Sequence, residues 1–577
     1  TTTQTYGIFG AQARVTRAES STTRQNIDGS TSRTLQAETT FQYALATGVV
    51  LDGQGSNVTE TTDLFGNQTV TRVLEEYDPI NGVARVVQAQ INTTVTGIAG
   101  ETTTTQSVTQ TQYTDGTEDI SSLSSAYSDP VLGRSPAGQV WKGVIKSVEE
   151  QAVSYVDLDG NNQAVVGTVT QTDDVYGNQT LVIVQNTFEI VHGESKVALA
   201  RTAVETRNID GSSVASVSLV RSTYTNGNED PATLPSDYSK VIGAVTPGGT
   251  VWKGLLATAQ EQQINYFNPL TNQQESFVGT LRVGQDAFGF GQFVEKGQNT
   301  YTPIFGQARV VSSLTETRTE NVDGSLNVRK QLLNNLYTDG TETPASLPAA
   351  YTNAATGRTY KSLIKDVEHG AVTLTTLGTT STFTGAVTIG QDAFGFNTFV
   401  TQTVDDYEPM VGQIRVGSSV STTVTTGVDS SSSVAVTQLR NTYDAQARIT
   451  DVEQIAATQV AGTDAFGFNS FVTATVDDYV VIDGMARVST SDSTTNTTGI
   501  DGSTSTTVSS LRNTYDAVAK LTGITQQAPT RVTGADAFGF NSFVTITNDA
   551  YQVIFGQARV ITSNSTTNTT GVDNSAS

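Results

Sequence analysis

The chain has 577 residues, a formal net charge of −24, 36 % hydrophobic residues and no cysteine. The acidic balance argues against nucleic acid and against anionic membrane surfaces, because both need a basic face. Disulfides, thiolate metal sites and Cys nucleophiles are excluded, and no stretch is long and apolar enough to cross a bilayer.

In chain order, the dominant pattern is internal repetition. The block Asp464-Ala465-Phe466-Gly467-Phe468-Asn469-Ser470-Phe471 recurs from Asp536, 72 residues on, and the same block starts 72 residues earlier at Asp392. Related copies start at Asp286, Asp174 and Asp63, at wider spacings of 106, 112 and 111 residues. Self-similarity at such periods predicts an array of structural units. The units run as a partial repeat at 1–62, enlarged repeats at 63–173, 174–285 and 286–391, short repeats at 392–463 and 464–535, and a partial repeat at 536–577. Thr1 lies inside a repeat, since Tyr6 corresponds to Tyr551, and the sequence stops just past a turn. The expectation is a parent chain longer than these residues.

Within each unit the first predicted element is a hairpin. An aromatic residue and a basic residue flank it eight positions apart: Tyr6/Arg14, Tyr77/Arg85, Phe188/Lys196, Tyr301/Arg309, Tyr407/Arg415, Tyr479/Arg487 and Tyr551/Arg559. Gly82, Gly193, Gly306, Gly412, Gly484 and Gly556 stand just past the midpoint, which reads as a three-residue loop with a left-handed glycine. In that register each aromatic faces its basic partner across the strands, as a structural cation–π pair.

The second hairpin turns at Asn26-Ile27-Asp28-Gly29 and its copies at Asp210, Asp323 and Asp501. Its long arms, such as Ser489 to Thr498, hold only Ser, Thr, Asp and Asn. They are expected to pair with a neighbouring repeat or subunit, to form Thr ladders, or to project into solvent. The core is assigned to the Asp-Ala-Phe-Gly-Phe-Asn-Ser-Phe block, whose rings could each bury about 150–250 Å². The three enlarged repeats add roughly forty residues. The addition runs from Tyr113-Thr114-Asp115-Gly116, Tyr224-Thr225-Asn226-Gly227 and Tyr337-Thr338-Asp339-Gly340 to Val140-Trp141-Lys142-Gly143, Val251-Trp252-Lys253-Gly254 and Thr359-Tyr360-Lys361-Ser362. The period of Leu363, Ile364 and Val367 suggests a short helix from Ser362 to Glu368. Trp141 and Trp252 are read as buried anchors of the insertions; exposed, they would suggest a carbohydrate-binding patch.

Few residues spell chemistry. His192 and His369 are the only histidines and lie in different repeats, so no unit can hold a His-based triad or a multi-His metal site. Asp157, Asp159 and Asn161 space their oxygens like the start of a calcium loop, but no distal Glu follows and a β-turn accounts for them. Calcium is the one cofactor candidate; no other is expected. The acids Glu75-Glu76, Asp405-Asp406 and Asp477-Asp478 are adjacent on strands and point to opposite faces.

Tyr443-Asp444-Ala445-Gln446-Ala447-Arg448-Ile449-Thr450, Tyr515-Asp516-Ala517 and Asp63-Leu64-Phe65-Gly66-Asn67 resemble the motifs of YD-type repeat proteins, with Ala447 and Ala519 in place of that family's glycine. More broadly, the chain resembles the Thr-rich tandem-repeat regions of long bacterial surface adhesins and fibres. These readings lead to an all-β tandem array of small, hairpin-rich, sandwich-like repeats, three of them enlarged by insertions. The expected role is non-enzymatic: a component of an extracellular filament, stalk or cell-surface coat that assembles with identical subunits or within a longer parent chain. The alternatives are an adhesin that binds carbohydrate through Trp141 and Trp252, and a YD-type protective β-shell.

Overall fold

The computed structural model describes residues 1–25, 30–64, 66–119, 123, 140–191, 193–230, 232, 234, 238, 251–287, 289–343, 347–348, 351–352, 357–376, 379–410, 413–444, 446–482, 484–554, 557–573 and 575–577. Strands make up 74 % of the chain, and no α-helix occurs among the described residues, so the molecule is all-β. Pairing is antiparallel throughout, and the long strands follow one another as hairpins. The chain divides into two compact units, Thr1–Val310 and Val311–Ser577.

The second unit shows the repeat in its simplest form. Ile449–Thr463, Asn469–Ile482, Met485–Gly499 and Thr504–Tyr515 pair in sequence, and Thr504–Tyr515 then pairs with Leu521–Ala535, the last strand before the next Phe block. The polar arm Ser489–Thr498 is thus paired on both sides within its own repeat, with Asn469–Ile482 and Thr504–Tyr515, rather than with a neighbouring one. Thr473 and Thr495 are directly opposite, with hydroxyl oxygens 2.8 Å apart. The same ladder rung joins Thr401 to Thr423, also at 2.8 Å, and Thr545 to Thr567 at 2.9 Å. β-Branched residues favour the extended backbone, and paired hydroxyls satisfy each other where no apolar layer covers them. From 392 onward, the buried apolar residues among those described are Ala447, Val452 and Ala519. This stretch is held chiefly by its strand ladder.

Among the described residues, a second layer is found only in the enlarged repeats. There the strand that is continuous at Ile449–Thr463 is divided, and a small hairpin fills the gap: Ala152–Val156 with Asn162–Val166, Gln263–Asn268 with Gln273–Val278, and Ala371–Thr376 with Thr379–Thr384. In the first unit these hairpins cover the sheet. Ile264 and Tyr266 pack with Leu281 and Val294, and Val153 packs with Val169 and Leu181. The extra length is thus split between a loop and a hairpin, rather than forming the single insertion read from the sequence.

Three further expectations are corrected. The segment expected as a helix from Ser362 to Glu368 holds the strand Ile364–His369, which pairs with Leu326–Tyr337. The waiting partner strand outweighs a short 3.6-residue period. The Phe block is not the core: Phe394, Phe396, Phe466, Phe468, Phe538 and Phe540 are all exposed. Only the third ring packs, Phe471 over Gly462 and Phe543 over Gly534, on glycines whose added Cβ would lie 2.9 and 2.6 Å from the ring. A ring covering a strand glycine shields backbone that has no side chain of its own. Lastly, the first hairpin has a two-residue loop. Ile80 pairs with Val83 around Asn81 and Gly82, both left-handed at φ 52° and 77°, the type I′ geometry that matches strand twist.

Candidate functional site

That shorter loop changes what the aromatic and basic residues touch. A bulge between Glu76 and Tyr77 absorbs the odd residue, so Tyr77 is opposite Val86 and Arg85 is opposite Asp78. The same shift sets Tyr407 opposite Val416 and Glu408 opposite Arg415, Tyr479 opposite Val488 and Val480 opposite Arg487, and Tyr551 opposite Val560 and Gln552 opposite Arg559. One residue of slip sends a side chain to the other face, so these four aromatic–basic pairs are not formed. Tyr77 instead donates to Glu75, and Tyr407 donates to Asp405 at 3.4 Å. Burial, reinforced by the acid, pushes both phenols up to about 12.

The arginines find other partners. Arg85 lies over Tyr113, 5.9 Å from the ring centre, and Arg487 donates from Nε to the Ala519 carbonyl at 3.0 Å. Arg309, Arg415 and Arg559 each donate to a glutamine two residues before them. Burial raises the Tyr301 phenol. Tyr113 belongs to a recurring set of strand-end tyrosines. Tyr43, Tyr113, Tyr224, Tyr443 and Tyr515 each donate a hydroxyl hydrogen bond to the carbonyl of Val15, Val86, Val197, Val416 and Val488. The signal was present: each of these tyrosines is the last residue of its strand.

The aspartates that open the turns are caps. Asp464 Oδ1 accepts the Asn469 N–H at 2.8 Å, and Asp444 Oδ1 accepts the N–H groups of Gln446 and Arg448 at 2.9 Å each. Ala447 and Ala519 take the left-handed φ, 61° and 60°, that the YD-type glycine would supply. Asp157 is one more such cap. Its Oδ1 accepts the N–H groups of Asp159 and Asn161 at 3.0 and 2.8 Å, while Asp159 pairs with Arg207. Hydrogen bonds from Asn161 lead the lowering of the Asp157 carboxyl, and the bond from Arg207 leads that of Asp159. The oxygens are turned into the turn and onto a cation, which fits a capped β-turn better than a calcium loop. Among the described residues, no group of three or more His, Asp or Glu is placed to hold a metal.

A second recurring device sits where the long strand bulges or gives way to the inserted hairpin. Glu150 accepts the N–H of Asn186 at 2.7 Å, Glu261 that of Asn299 at 2.8 Å, Gln454 that of Asp477 at 2.6 Å, and Gln526 that of Asp549 at 2.8 Å. In the third enlarged repeat His369 holds the place: Nε2 accepts the Asp405 N–H at 3.0 Å. The imidazole is therefore neutral at Nε2 and packs against Tyr407, with 5.4 Å between ring centres. Burial lowers its pKa, against the pull of Asp405.

Threonine and tyrosine side chains tie the described bases of the inserted loops. Thr225 is wholly buried; it donates to the Trp252 carbonyl and accepts the Leu255 N–H at 3.0 Å. Thr114 and Thr338 do the same with Trp141 and Val144, and with Tyr360 and Leu363. Tyr238 and Tyr351 are buried and donate to the carbonyls of Leu256 and Ile364. Trp141 and Trp252 are half-buried and contribute main-chain carbonyls. The tip residues Asn26–Gly29, together with Phe65, His192, Phe288, Gly412, Asp483, Gly556 and much of the inserted loops, lie outside the described residues.

One polar groove of 320 Å³ is lined by Glu38, Gln54, Glu75, Glu76, Gln88 and Gln90. Glu38 is bound to Arg17 at 2.7 Å and Glu75 to Tyr77, so two of its three carboxylates already have partners. No protein-family model matches the sequence, and no curated protein is found to be similar to it.

Proposed function

We propose that this chain is a non-enzymatic structural component of an extracellular filament, stalk or cell-surface coat, built to extend by repetition and to assemble with copies of itself or within a longer parent chain. The observation that carries the reading is that the same three devices recur from copy to copy: the Asp-capped turn, the tyrosine-to-valine-carbonyl bond and the bridge at the bulge. The Asp caps, the strand-end tyrosines and the bridging Glu, Gln and His side chains are engaged in holding the ladder. A surface built this way repeats each contact at a regular interval, and many weak contacts add along an array. The acidic surface keeps separate chains apart until contacts align.

Negative-stain imaging and sedimentation of the purified chain test the reading. Elongated particles that grow with concentration are the expected result. A compact, concentration-independent monomer would favour a closed shell of the YD type. Retention on a glycan array, lost in Trp141→Ala and Trp252→Ala variants that keep their stability, would favour the carbohydrate adhesin.

A further inference from the structure

The aromatic turns at one end of the strands are the least explained feature of the second unit. Each is joined to the adjacent turn by a main-chain bond: Val428 N–H to Phe396 O at 2.8 Å, Ile500 N–H to Phe468 O at 2.7 Å, and Val572 N–H to Phe540 O at 2.7 Å. Each junction displays two rings and one aliphatic side chain to solvent. The relative exposures are 79, 58 and 73 % for Phe394, Phe396 and Val428, 74, 55 and 79 % for Phe466, Phe468 and Ile500, and 81, 57 and 74 % for Phe538, Phe540 and Val572. Phe466 also holds a left-handed φ of 64°, a conformation a bulky residue rarely adopts without cause. Three apolar islands thus recur four strands apart, about 19 Å at the usual strand spacing.

We infer that this row of islands is a self-association surface, on which a second copy of the chain docks its own row, tip to tip. The inference rests on the self-assembling reading above and names the surface that does it. Two observations select a second copy as the occupant. At about 200 Å² for a whole ring, the six rings expose roughly 800 Å², about what each partner contributes to a standard interface. And the partner must meet three islands at a fixed interval, which a second copy carries by construction. The polar arms in Gln413–Gly427 and Met485–Gly499, which looked like the sticky element, have a partner strand on each side and are not available for this.

Charge gives the surface a signature. Asp429, Asp464, Asp501 and Asp536 stand at the same turns, and hydrogen bonds from their own turns hold the carboxyls of Asp429, Asp464 and Asp501 below the usual range. Apposed copies bring like charges together, so added salt strengthens the contact. A cationic partner would show the reverse.

The test is sedimentation velocity on the full chain over a concentration series, at about 50 and about 500 mM NaCl. It compares the wild type with a variant carrying Phe→Ser at 394, 396, 466, 468, 538 and 540. The wild type is expected to associate, more strongly at high salt, and the variant to stay monomeric. Should the variant fail to fold, the chain's lack of cysteine provides a second route. Phe468→Cys is expected to crosslink between copies through a short bis-maleimide, and Lys520→Cys, at the opposite strand ends, is not. Wild-type and variant chains associating equally would overturn the inference while leaving the filament reading in place. A wild type that is monomeric throughout would remove both. Association that weakens with salt, or binding to phosphatidylcholine vesicles in place of association, would assign the row to another partner.

Discussion

At the scale of single residues, the polar groups that matter are those with two partners. Thr225 accepts one hydrogen bond and donates another inside a fully buried loop base. Thr225→Val keeps the shape and leaves a buried N–H and a buried carbonyl short of partners, which costs about 1–3 kcal/mol. The expected outcome is a lower urea midpoint with an unchanged slope. The arginines test the corrected pairing. A double-mutant cycle between Arg85 and Tyr113 is expected to show a coupling of about 0.5–1 kcal/mol, and the cycle between Tyr479 and Arg487 none. A coupling between Tyr479 and Arg487 would mean that the bulge is misplaced. The hairpin glycines, the Asp caps and the threonine strands were legible at this scale because each is encoded within a few residues. The facing of Tyr and Arg was not, because it depends on a bulge that no single residue announces.

At the scale of the element, the bridge at the bulge makes one repeat sensitive to pH. His369 must be unprotonated at Nε2 to accept the Asp405 N–H, and its pKa is lowered by burial. Facing it are Asp405, with Oδ2 3.7 Å from Nε2, and the raised phenol of Tyr407 on the adjacent strand Asn397–Met410; Glu368 is its exposed neighbour in its own strand. A folded pKa below the unfolded value means that the unfolded chain takes up the proton first. The contribution is therefore present above about pH 6.5 and is lost as pH falls through the lowered folded value. Melting followed from pH 8 to pH 5 is expected to show this loss in the wild type. His369→Gln, the residue used at 454 and 526, is expected to flatten it. An equal pH dependence in both proteins would show that the bridge plays no part. The capped turns titrate lower: the carboxyls of Asp157, Asp444 and Asp464 are depressed by N–H donors, so their share persists above about pH 4 and is lost below it. Because the Asp157 oxygens are already engaged, a chelator is expected to leave the melting temperature unchanged.

At the scale of the molecule, stability comes mostly from ladders, and from covered cores only where an inserted hairpin supplies a second layer. Hydrogen exchange is the direct check. Amides between Ser489 and Ser510 that are bonded within the ladder are expected to exchange far more slowly than the turn at Asp501. Exchange as fast as a free loop would mean that the arms are not held in the sheet. By itself, the sequence determined the internal repetition, the hairpin turns and the strand class, since Asp-Gly turns, left-handed glycines and β-branched runs act over a few residues. Only the tertiary structure decided which faces those strands present. A bulge or a hairpin set into a strand shifts the count by one, and with a period of two that reverses every side chain beyond it. The phenylalanines read as core stand at the tips because they fall in the turns between strands, and Tyr238 and Tyr351, which tie the loop bases, are residues that the sequence did not single out.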